Sequence, residues 1–149
     1  MPGAKRFQFD RTFQFDATAD ELWSAIADTR SYPLIWSWLD EFESGPLVEG
    51  TRASFRVRPP LPYRLRFAVT LDEVRAPELV RGRVSGDAAG EASLVVLSTD
   101  SGSAARLSWD LEVVRPSLAR AAPLLRPLMV AGHDAVVAMG VRQFRRRAL

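Results

Sequence analysis

The chain has no cysteine and a single histidine, His133. The first absence excludes disulfides, thiolate metal sites and cysteine nucleophiles together. The second leaves no pair of imidazoles for an ordinary metal site. Carboxylates cluster only in DEFE (Asp40, Glu41, Glu43) and LDE (Asp72, Glu73), segments that read as strand ends or turns. No metal and no cofactor is expected. The G-x-S-x-G, P-loop and G-x-G-x-x-G patterns are also missing. A Ser-His-Asp arrangement would need Ser98 or Ser108 to meet His133, and no motif brings them there.

Long hydrophobic runs are lacking too. No stretch of roughly 18 uncharged apolar residues occurs, so no transmembrane helix is expected. The first residues, MPGAKRFQFDRTFQFD, hold no apolar stretch of signal-peptide length. A cytoplasmic protein without integral membrane association is the expectation. Lysine is nearly absent: Lys5 is the only one, so the basic residues are arginines. The net charge is only +2, and acidic and basic residues are mostly interspersed, so no large positive field arises. Aromatics are not interleaved with the arginines as a stacking platform would require, so a nucleic-acid partner is not expected. The arginines of the terminal QFRRRAL suit a solvated helix C-terminus.

What is present is patterned. The 149 residues fit one domain of nearly half apolar composition. In FQFDRTFQFD, Phe7, Phe9, Phe13 and Phe15 share one parity, the mark of a half-buried strand. Thr18 and Glu21 form a capping-box signature ahead of Leu22, Trp23 and Ile26, which predicts a helix of about three turns. A short second helix is expected in RSYPLIWSWL, with Pro33 in its first turn. Trp36 and Trp38 are too close for one helical stripe, so one indole is expected in the core and the other over an opening.

From Phe42 to Val114 the chain reads as short strands joined by turns, an antiparallel meander. Ala53, Phe55 and Val57 alternate with arginines. Tyr63, Leu65, Phe67, Val69 and Leu71 oppose Arg64, Arg66, Ala68 and Thr70. EASLVVLSTD, with Leu94 and Val96, is more uniformly apolar, and Leu107, Trp109, Leu111 and Val113 alternate with polar residues. Arg56, Arg64 and Arg66 therefore belong to a solvated face. Arg81 and Arg83 are less settled, because Leu79 shares their parity; an inward Arg81 is the charged cavity candidate. The chain then turns helical to its end. Pro123 and Pro127 suggest a separate turn before a main helix from about Pro127 to Arg147.

On a helical wheel of about 100° per residue, His133 lies on the apolar face with Met129, Val136, Gly140 and Phe144. Asp134 lies about 100° away and makes a poor orienting partner on that spacing. Gly132 and Gly140 allow two readings: close approach of helix and sheet, or room left for a ligand.

This order of elements resembles the SRPBCC or START-like superfamily. TADELWSAIADTRSYPLIW near the start carries the likeness, with SWDLEV before a long helix holding GHDAVVAMGVRQFRR. Its polyketide cyclase/dehydrase and lipid-transport-like branch is the most similar. The resemblance implies an α+β helix-grip fold: a curved antiparallel sheet of about seven strands wrapped around a long C-terminal helix, with two short helices after strand 1 and a hydrophobic cavity between sheet and helix. It also implies a small hydrophobic ligand, such as a lipid or polyketide. The cavity walls expected on this basis are Trp36, Phe55, Phe67, Val69, Arg81, Leu94, Val96, Trp109, Met129, His133, Val136 and Gly140. The alternative is a cyclase or aromatase in which His133, a pocket arginine or Tyr63 moves protons. A further one is a filled cavity in a partner-binding protein.

Overall fold

The computed structural model describes residues 5–59 and 63–149. The elements run β1 (Arg6–Phe15), α1 (Ala19–Ala27), a 3-10 turn (Thr29–Ser31), α2 (Tyr32–Ile35), β2 (Leu39–Glu43) and β3 (Arg52–Val57). They continue with β4 (Leu65–Arg75), β5 (Leu79–Gly86), β6 (Ala88–Thr99), β7 (Gly102–Val113) and α3 (Pro116–Arg147). The RPPLP turn expected between β3 and β4 falls partly outside the described residues.

The strands form one seven-stranded antiparallel sheet in the order β1-β7-β6-β5-β4-β3-β2. Strands β2 to β7 are a meander, and β1 pairs with β7 from Arg6↔Glu112 to Phe15↔Ser103. The expected helix-grip architecture is therefore present. DEFE is not a turn but most of β2, whose pairing with β3 is interrupted by a bulge between Asp40 and Glu43. Arg56, with two nitrogens on the Asp40 carboxylate, pins β2 to β3 across that irregularity.

The capping box of α1 forms as the sequence predicts: Glu21 N–H donates to Thr18 Oγ1, and Thr18 N–H donates to the Glu21 carboxylate, each at 3.1 Å. Leu22 and Ile26 turn inward from α1 and meet Phe15, Ile35, Val96, Ala105 and Phe144 in the closed core. This core occupies one end of the sheet. Trp36 extends it in rings, stacking on Phe144 at 6.0 Å and lying 5.7 Å from Trp38.

The final helix corrects the sequence reading. It is continuous from Pro116, about eleven residues earlier than expected. Pro116 occupies the first turn, where its missing N–H costs nothing. Pro123 and Pro127 lie on the exposed side of the helix, where the carbonyls they leave unpaired can be hydrated. By length and composition α3 also passes the test for a membrane span, holding an 18-residue window of mean hydropathy 1.3 of which 17% is buried. Charged residues such as Arg126 and Asp134 interrupt the apolar stretch of this helix.

Candidate functional site

α3 lies over the β1–β7 side of the sheet. Arg126 donates to the Arg6 carbonyl at 2.9 Å and rests over the Phe7 ring, while Arg145 donates to the Gln14 carbonyl and rests over Phe15. On the other flank, Trp36 Nε1 donates to the Gly140 carbonyl and Trp38 Nε1 to Gln143 Oε1, both at 2.9 Å. The C-terminal half of the helix is thus clamped from both sides.

Between the clamp and the sheet, burial is uneven. Phe15, Val96 and Ala105 are buried, but the inward-parity residues of β3 and β4 are not: Phe55, Val57, Leu65, Phe67, Val69 and Leu71 all stay partly exposed. Apolar side chains on the concave face of a sheet keep solvent contact only where nothing packs on them. These residues stand on strands away from β1 and β7, where α3 makes its hydrogen bonds and ring contacts with the sheet. One row of cross-strand partners, Phe9–Trp109–Ala92–Gly82–Leu71, crosses five strands of the floor, from β1 to β4. It is bulky under α3 and small in the middle of the sheet, where a side chain on Gly82 would come within 2.8 Å of Val69.

His133 overhangs the bulky end of that row. Its ring meets Phe9 edge-on at 5.2 Å and Trp109 at 5.4 Å, and Phe9 and Trp109 stack at 4.5 Å. Trp109 Nε1 donates to His133 Nε2 at 3.1 Å. The indole nitrogen can only donate, so Nε2 must accept and the ring proton belongs on Nδ1. Nδ1 lies 3.1 Å from Asp134 Oδ1. This corrects the wheel argument: the carboxylate reaches around the helix to its neighbour, and Trp109, His133 and Asp134 form one polar chain.

The remaining expected residues divide. Phe55, Phe67, Val69, Leu94, Trp109, His133 and Val136 face the concave side and are partly buried. Met129 is buried, and Val96 belongs to the closed core. Trp36 and Trp38 both lie on α3, so neither indole is left over to cover an opening. Gly140 does not leave room for a ligand. Its missing side chain is where the indoles sit, with Trp38 Cζ2 3.1 Å from the position a Cβ would take.

Arg81 is not a cavity residue. Val80, Gly82 and Val84 take the inward parity of β5, so Arg81 points out, and the β4 bulge between Leu71 and Glu73 sets Glu73 opposite it. The two pair at 3.3 Å with Arg81 54% exposed, beside an outer-face groove of about 540 Å³ that also holds Asp10, Glu91 and Asp110. Tyr63 is likewise remote from His133. It lines a second concavity of about 530 Å³ with Arg56, Arg64, Arg66, Asp87 and Arg115, where burial pushes its phenol above the usual value. Tyr32 is a packing residue whose buried hydroxyl donates to the Ile26 carbonyl; burial, aided by the Asp28 charge, raises it strongly. Sequence reasoning missed Phe9 as a site residue, although its parity pointed inward. No group of histidines and carboxylates that could hold a metal occurs among the described residues.

A concave, mostly apolar sheet face with a long helix packed along its β1–β7 side defines a helix-grip protein. The chain belongs to the polyketide cyclase / dehydrase and lipid transport family, whose model matches residues 6–148. Solved structures agree in fold. The protein TTHA0849 from Thermus thermophilus superposes with a TM-score of 0.75 at 17% identity, over 96% of each chain. Norcoclaurine synthase from Thalictrum flavum, solved with dopamine and hydroxybenzaldehyde, gives 0.62 at 16% identity over 91% of this chain and 84% of its own. The di-domain ARO/CYC protein BexL, of the BE-7585A biosynthetic pathway, gives 0.71 at 8% identity over 97% of this chain and half of its own. No curated protein matches the sequence.

Proposed function

We propose that the protein binds a small hydrophobic molecule, of lipid or polyketide type, in the cytoplasm. The molecule lies on the concave face between α3 and strands β3 to β6. The observation that carries this reading is the partly exposed apolar wall of Phe55, Phe67, Val69 and Leu94 beside a helix that packs on β1 and β7 instead. Covering such a wall stabilises a complex by about 25 cal/mol per Å² of apolar surface. The Trp109–His133–Asp134 chain sets orientation, because it is the polar group at the wall's edge. Native mass spectrometry of protein purified from its own host, with extraction of small molecules, tests this. A copurifying apolar molecule that Phe67→Ala loses is the expected result. An unliganded protein that also fails to take up fatty acids or aromatic polyketides would overturn it.

A second reading rests on the Asp134 contact. A carboxylate on Nδ1 orients an imidazole as a general base requires. A poly-β-ketone that displaced the Trp109 N–H would meet Nε2, as a cyclase or aromatase needs. His133→Ala then abolishes turnover while ligand affinity persists; unchanged turnover removes this reading.

A further inference from the structure

The outward face of α3 is the anomaly of the surface. Leu124 is 85% and Leu128 49% exposed, and the line continues through Ala131, Ala135 and Ala138, all exposed. At about 100° per residue these five span only about 80° of the helix, centred opposite His133. They form an apolar ridge that none of the described residues covers, inside the helix whose apolar window is 17% buried.

The ridge has a charged flank. Arg120 and Asp134 lie along the same side of it, fourteen residues apart. Arg120 reaches the Pro116 carbonyl of its own helix, at 3.3 Å. Asp134, 61% exposed, engages His133 through Oδ1.

We infer that this ridge is the interface of a homodimer in which two α3 helices pack antiparallel about a twofold axis near residues 127–128. A twofold contact is self-complementary, so residues whose numbers sum to about 255 face each other. That register sets each Leu124 against Ala131 of the partner subunit, large against small. It brings the two Leu128 side chains together at the centre and Ala121 against the partner's Ala135. In an antiparallel pair the same flanks meet. Each Arg120 therefore faces the partner's Asp134, and two ion pairs close the ends. The charges select a second copy over a lipid surface: Asp134 sits partway along the ridge, where it would be driven against anionic headgroups, and three of the five ridge residues are alanines with little to insert. The ridge lies on the opposite side of α3 from the ligand wall, so the dimer does not depend on the proposed ligand.

Sedimentation velocity over a concentration series up to about 100 µM tests the interface. The wild-type chain is expected to dimerise. Arg120→Glu and Asp134→Arg are each expected to weaken the dimer about tenfold or more, and the double variant R120E/D134R to recover most of that loss. Leu128→Glu is expected to leave a folded monomer by circular dichroism. Because Asp134 also holds His133, Arg120→Glu with Leu128→Glu carries the test if the Asp134 variant does not fold. A monomer throughout the range, or a dimer indifferent to Arg120→Glu and Leu128→Glu, overturns the proposal. A monomer that cosediments with phosphatidylserine vesicles and loses that binding in Leu128→Glu assigns the ridge to lipid instead.

Discussion

Trp109 and His133, on the last strand and the last helix, share one hydrogen bond at 3.1 Å with the indole as donor. That single contact decides the tautomer of the imidazole and ties α3 to the floor of the site. Trp109→Phe keeps the stack on Phe9 but removes the donor, leaving a half-buried acceptor unpaired. A loss of about 1–2 kcal/mol in chemical denaturation is expected. A change within about 0.3 kcal/mol would mean that water takes over the indole's role.

The closed core and the open wall should respond differently to truncation. Leu22 is fully buried, so Leu22→Ala should cost about 2–5 kcal/mol of stability. Phe67 is only partly buried and should cost less than the about 3–5 kcal/mol typical of a core phenylalanine. Paired denaturation curves read the contrast. Equal losses would mean that the wall is already packed.

The two indoles pack on α3 at Gly140. A Cβ there gains about 1 kcal/mol of helix propensity but presses on Trp38 at 3.1 Å, so Gly140→Ala should be near neutral. Gly140→Leu has no such compromise. It should displace the indoles, cost about 1–3 kcal/mol and shift tryptophan emission to the red. Unchanged emission in that variant would show that the clamp does not hold α3.

Acid should weaken the sheet. Hydrogen bonds from Arg106, Arg56 and Arg6 hold the carboxyls of Asp10, Asp40 and Asp110 below the usual range. A folded-state value below the unfolded one gives stability that is complete above the unfolded pKa of about 3.9 and is lost as pH falls through the folded values. Denaturation midpoints should therefore fall below about pH 4, and less steeply in high salt because these pairs face solvent. A flat profile between about pH 5 and pH 2.5 would contradict the pairing.

Much of the architecture was legible in the order of residues. Alternating parity in FQFDRTFQFD and in β3, β4 and β7 named the concave face. The Thr18–Glu21 box placed α1, and the turn-rich links required a meander. These are local consequences of a period of two or of about 3.6 residues, and need no knowledge of what packs where.

Position, by contrast, belongs to the tertiary structure. Parity could not settle Arg81, because Leu79 shared its phase; the β4 bulge did, by setting Glu73 across from it. Spacing on a wheel misjudged Asp134, because a side chain can reach its neighbour around the helix when both stand at the edge of a face. The prolines looked like a break in α3 because their cost depends on whether the freed carbonyls meet solvent. At Gly140 spacing left close approach and room for a ligand both open, and Trp36 and Trp38 occupy the position. Alternation along the chain marked the inward residues of β1, β3, β4 and β7. Only the three-dimensional packing decided which of them touch, which stay partly exposed, and that the one histidine is held at both nitrogens.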